Sequence, residues 1–263
     1  MPVTRPSTTL APDSPLVDVP RPGLAYRRGR LLPRVGQAEA IVIHTTGGGI
    51  TARYRREGAR EGDATPLQTA MRVYATIMEA SPHYVVGQCG SVGQVAPEDL
   101  CAWHVGGAGS APYHRLGTSW IPSWQRARYE WWQRRWEGVD GPAELAGGRL
   151  WAPYVVPPTL GQRIRHPLSW GRGSANARSI GIEVVPPLAA ARGPWSAECW
   201  RSVATLVCDI SMRRSITLER TRVITHSDAH PLSRTTPRGE PWDTVEEQWS
   251  WERFEEERAQ LLT

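Results

Sequence analysis

Short apolar runs of strand length alternate along this chain with longer stretches in which apolar residues recur at helical spacing. Ala40-Ile41-Val42-Ile43 is a continuous apolar run that ends in His44. Such a run reads as a buried strand. Thr221-Arg222-Val223-Ile224-Thr225 repeats the pattern and closes on His226. His83-Tyr84-Val85-Val86-Gly87 and Val92-Gly93-Gln94-Val95, joined through Cys89-Gly90-Ser91, predict two further strands. Ser179 to Val185 predicts another, whose alternation puts Gly181 and Glu183 on one face and Ile180, Ile182 and Val184 on the other.

Helical spacing takes over after Thr65-Pro66, a helix start with Thr as N-cap and Pro at the first position. Leu67, Ala70, Met71, Tyr74, Ile77 and Met78 form its stripe, and Ser81-Pro82 ends it. Ser196 is placed to cap a second helix with Trp200, Val203, Val207 and Ile210 on its inner face. Residues 227–243 read as a long loop and 244–262 as a surface helix. Helices alternating with strands predict an α/β (α+β) architecture, a mixed central β-sheet flanked by helices. Residues 1–36, rich in Pro and Arg, are expected to form an extended arm ahead of a domain over 37–263. Within that domain, residues 108–175 break the pattern and read as a Trp/Arg-rich insertion. It could wall a cleft, dock a carrier or immunity protein, or form a satellite core.

Composition narrows the class. The 263 residues are 40% hydrophobic with 13 Trp, which describes a globular chain. No stretch approaches the roughly 18 apolar residues of a membrane span. The net charge of +5 arises without any Lys and is dispersed, so nucleic acid is not an expected partner. Residues 1–34 lack the apolar core of a secretory signal, and synthesis in the cytoplasm is expected. Cys89, Cys101, Cys199 and Cys208 form no Cys-x-x-Cys pair and are expected to be free thiols, although Cys89 and Cys101 flank a hairpin and could face one another. Gly47-Gly48-Gly49 lacks the Lys of a phosphate-binding loop and reads as a turn that lets backbone pass close to a ligand.

Two His delivered to strand ends, with carboxylates nearby, are raw material for a zinc site. Glu183 lies in an otherwise apolar strand, where a carboxylate is costly unless paired or functional. A general base in a partly apolar cleft fits that setting; an Arg-paired Glu at a sheet edge fits it too.

Taken in order, the segments Ile43-His44-Thr45-Thr46-Gly47, His83 to Gly90, Trp103-His104-Val105-Gly106 and Asn176 to Glu183, followed by His226, resemble a known family. They are similar to the zinc-dependent N-acetylmuramoyl-L-alanine amidases of the type-2 amidase and peptidoglycan recognition protein superfamily. The likeness runs over residues 38–107 and 174–245. It implies a zinc ion held by His44 and His226, with Glu183 as general base and later acid. It also implies that His104 lines the site, binding substrate or steadying the oxyanion. Where relatives carry an Asp or Cys ligand, this chain has Thr236, whose neutral hydroxyl is a poor ligand. Asp228 is too close to His226 to approach the metal from the other side. Asp243, after the excursion Pro237 to Trp242, is the expected third ligand ahead of Glu240, and His230 is the fallback. Arg234 stands where relatives have a Lys that stabilises developing negative charge.

The resemblance thus implies hydrolysis of the amide between N-acetylmuramic acid and L-Ala of the peptidoglycan stem. The settings it suggests are a phage-type endolysin, an antibacterial lytic effector or a wall-remodelling enzyme, reaching the wall after lysis or dedicated secretion. Thr236 keeps open a peptidoglycan-binding module without catalysis. A basic protein binding the envelope or nucleic acid without metal is the remaining reading.

Overall fold

The apolar runs assemble into one sheet whose strand ends converge. In the computed structural model, residues 13–18, 32–34, 36–46, 65–76, 81–105, 175–188, 192–229, 243–244 and 248–261 are described. The strands are β1 (Leu32–Pro33), β2 (Ala40–Thr45), β3 (Tyr84–Val86), β4 (Val92–Gln94), β5 (Leu100–Cys101), β6 (Ser179–Val184) and β7 (Val223–Thr225). The helices are α1 (Thr65–Thr76), α2 (Ala175–Arg178), α3 (Ala197–Arg214), α4 (His226–Ala229) and α5 (Trp251–Leu261). The sheet has the order β4-β3-β6-β2-β7. β3, β6, β2 and β7 run parallel to one another, and β4 is antiparallel to β3. It is a mixed sheet flanked by helices, as the pattern predicts. The insertion expected at 108–175 falls outside the described residues apart from its last residue, Ala175.

Alternation along the central strands decides which helix each face meets. Ile41, Ile43, Tyr84, Val86, Ile180, Ile182 and Val184 join the core beneath α3. Val85 joins Leu67, Ala70, Met71 and Tyr74 of α1 on the opposite face. Each fully buried Ile or Val contributes about 1.5–3 kcal/mol relative to exposure. Ser196 caps α3 as expected: its hydroxyl accepts from the Cys199 N–H at 3.1 Å.

The C-terminal helix α5 is more than the surface element expected. Phe254 is fully buried in the main core, beside Trp249, which stacks on Trp200 at 5.4 Å between centroids. The reason lies in the aromatics just ahead of the helix, which need apolar partners and pull its inner face onto α3.

The N-terminal segment is strapped to the sheet by polar contacts. The Asp18 N–H donates to the Val92 carbonyl at 2.9 Å, and the Ser14 hydroxyl donates to Asp209 at 2.7 Å. Asp13 accepts from the Glu98 N–H at 2.8 Å. Glu98 itself is buried and accepts both guanidinium nitrogens of Arg213 at 2.8 Å, as well as the Tyr84 hydroxyl at 2.5 Å. Arg214 adds a further bond to it. Satisfied in this way, a buried carboxylate is tolerated. All four cysteines are free. Among the described residues no helix is long and apolar enough to cross a membrane.

Candidate metal centre

Ligand sites in open parallel sheets form at the carboxyl ends of strands, and the polar residues of this sheet gather there. His44, next to last in β2, is the register partner of Glu183 in β6. Thr225 pairs with Ile43, so His226 follows directly on the other side of His44. Partners in a parallel ladder point to the same face. Glu183 and His44 therefore share the face of α1, opposite the α3 core.

His44 Nδ1 lies 2.9 Å from His226 Nδ1, and the same His226 nitrogen lies 2.9 Å from an Asp243 carboxylate oxygen. Asp243 is held by the Thr45 N–H, which donates to its other oxygen at 3.1 Å. Donor atoms of His44, His226 and Asp243 all lie within 4.8 Å of one another, and all three residues are buried. Glu183 is buried as well. Asp228 is not among these grouped donors. It accepts from the Thr225 N–H and hydroxyl at 2.9 and 2.7 Å, closing the turn that carries His226. Arg234, His230, Thr236 and Glu240 lie outside the described residues.

His104 enters from the turn after β5. Its Nδ1 is 3.0 Å from His44 Nε2, and its Nε2 reaches the Ser179 hydroxyl and carbonyl at 3.2 and 3.4 Å. Both ring nitrogens thus face protein partners, and burial holds its pKa down at about 3, with His226 adding to the effect. That arrangement sets the His104 ring between His44 and Ser179. Gly181 leaves room for this ring. A Cβ there would stand 2.5 Å from the His104 imidazole.

Behind His104 sits a layer that the pattern of the sequence did not single out. His83 is fully buried, and its Nδ1 accepts from the Gly181 N–H at 3.0 Å. Arg34, within the expected N-terminal arm, donates to the carbonyls of Glu98, Ala177, Leu100 and Ser179 at 2.6–3.1 Å. Burial lowers its guanidinium to about 10. The same burial, followed by the nearby Arg34 charge, keeps His83 well below the ordinary histidine range. Asn176 accepts at one side-chain oxygen from the N–H groups of both His104 and Val105, at 2.9 and 2.8 Å. Asn176 opens the Asn-x-x-Ser-Ile-Gly-Ile-Glu segment and His83 opens the His-Tyr-Val-Val segment, so a signal for each existed. Arg34 carried none.

The family model for N-acetylmuramoyl-L-alanine amidases matches residues 34–240, and the chain belongs to that family. Membership makes it an amidase whose substrate is peptidoglycan. None of the curated proteins matches it. A solved structure titled "crystal structure of Se-Met AmpD derivative" is similar with a TM-score of 0.44 and 16% identity, covering 87% of this chain and 90% of that one.

Proposed function

We propose that the protein is a zinc-dependent hydrolase of the amide between N-acetylmuramic acid and the L-Ala of the stem peptide. The observation that carries this reading is the His44–His226–Asp243 cluster with Glu183 beside it in register. Two imidazoles and one carboxylate match the donor set of catalytic zinc sites, which keep a further position open. Bound there, zinc would supply Lewis acidity that activates water near neutral pH and polarises the amide carbonyl.

The chain's own groups do the rest. His44 and His226 offer imidazole nitrogens, and Asp243 offers negative charge on a loop anchored to the Thr45 backbone. Glu183, on a rigid strand, accepts the proton of the attacking water and returns it to the leaving amine. Arg234 balances the charge that develops on the carbonyl oxygen. Products are the glycan and the free stem peptide.

The test is digestion of purified peptidoglycan by the full-length protein, zinc-loaded and chelator-treated. Release of new L-Ala amino termini is expected only from the loaded protein. A loaded protein that binds muropeptides and releases none would favour the non-catalytic module.

A further inference from the structure

The two histidines of the cluster share one source of orientation. His104 Nδ1 meets His44 Nε2 at 3.0 Å, and the carbonyl of the next residue, Val105, meets His226 Nε2 at 3.1 Å. A carbonyl oxygen only accepts, so His226 Nε2 carries a proton, and in the neutral ring Nδ1 keeps the lone pair. At His104, Nε2 faces the Ser179 carbonyl as well as its hydroxyl, which an N–H satisfies and a lone pair does not. Its Nδ1 is then an acceptor. His44 Nε2 must donate to it, and the His44 lone pair is left on Nδ1.

Both Nδ1 lone pairs accordingly point into the same small space as the Asp243 carboxylate. Three electron-rich atoms so close repel one another unless a cation or a proton lies among them. The turn that imposes this is itself fixed from three sides. Asn176 holds the consecutive N–H groups of His104 and Val105. Gly181 admits the ring, and Arg34 draws in the Ser179 carbonyl at 3.1 Å.

We infer that the turn at His104-Val105, pinned by Asn176, is a tautomer clamp. It holds His44 and His226 together as Nε2–H imidazoles, so that both present Nδ1 to one metal ion. The inference rests on the zinc reading above and assigns His104 a positioning role instead of contact with the reacting atoms. Outer partners of metal-bound histidines commonly set the tautomer in this way, and losing one costs about 10–100-fold in metal affinity.

The experiment uses full-length protein labelled with 15N at histidine. Long-range proton–nitrogen spectra are recorded metal-free and zinc-loaded, and zinc affinity is measured by competition with a chromophoric chelator. The expected result is Nε2–H for His44 and His226 in both states. His104→Phe, which keeps a ring over Gly181 but removes the acceptor, and Asn176→Leu should each bind zinc about 10–100-fold more weakly. Absence of the Nε2 proton on His44 or His226 in the wild type would overturn the clamp, whether or not the variants fold. So would variants that fold and hold zinc as tightly as the wild type. Failure of the wild type to take up zinc would instead sink the proposed function, and the metal-free spectra would still decide the clamp.

Discussion

His44 stands directly opposite Glu183 in the parallel ladder between β2 and β6. Backbone hydrogen bonding therefore fixes the spacing between a candidate ligand and the candidate base. A strand-borne pair of this kind costs no loop ordering when substrate binds, which suits a site that must hold reacting groups within a fraction of an ångström.

Glu183→Gln keeps the shape of the side chain and removes its basicity. Turnover of peptidoglycan should fall about 10²–10⁴-fold, the usual contribution of a general acid–base group, while zinc content stays at the wild-type level. Turnover within a few-fold of wild type, measured alongside metal analysis, would remove Glu183 from the chemistry.

Asp243→Asn should separate charge from position. An amide oxygen can still accept from the Thr45 N–H, which lies 3.1 Å from the carboxylate. The anionic donor is lost, however, and zinc affinity should fall by at least the roughly 100-fold at the upper end of outer-partner effects. Chelator competition measures it, and unchanged affinity would return the third ligand to the loop between 230 and 242.

Gly181→Ala tests how closely the His104 ring is seated. The new methyl would stand 2.5 Å from that ring, so the imidazole must move. Overpacking of this kind costs about 1–3 kcal/mol, and displacement of the ring should weaken zinc binding as well. Urea unfolding and metal titration together check this; a variant as stable and as zinc-avid as wild type would show that the turn yields freely.

His83 gives the fold a dependence on acid. Burial and the neighbouring Arg34 hold its folded-state pKa well below the unfolded value. The unfolded chain therefore binds the proton more readily. His83's contribution is fully present above about pH 6.5 and declines as pH falls, by up to about 1.4 kcal/mol per unit. His83→Gln should flatten the acid side of the stability profile relative to wild type. Equal slopes for the two proteins in denaturant titrations from pH 7.5 to 5 would contradict this account.

Glu98→Gln probes the buried charge cluster around Arg213 and Arg214. Glu98 is fully buried and joined to Arg213, Arg214 and Tyr84. Removing one partner from such a network costs about 3–5 kcal/mol, which should appear as a lower melting temperature with zinc affinity retained. A melting temperature equal to wild type would mean that the arginines find solvent at no cost.

Much of the scaffold is legible in the chain itself. The runs ending in His44 and His226 and the alternation around Glu183 announce strands locally, because a two-residue period needs only neighbouring residues. Ser196 announces its helix for the same reason. Asp243 can be reached only by eliminating other residues in its loop. Arg34 cannot be reached at all: nothing in a Pro/Arg-rich segment marks one guanidinium as the cation that gathers four backbone carbonyls. That the His104 ring fills the space beside Gly181 is equally hidden, because alternation tells which face a residue occupies and says nothing of what packs against it.

By itself, then, the sequence determined the strands, their faces, and the two histidines and one glutamate they carry. Tertiary structure alone decided which histidine nitrogens meet and how the Asp243 carboxylate is seated beside them. Those outcomes depend on contacts between residues 60, 182 and 198 positions apart, where only the folded sheet brings lone pairs, N–H groups and carbonyls into register.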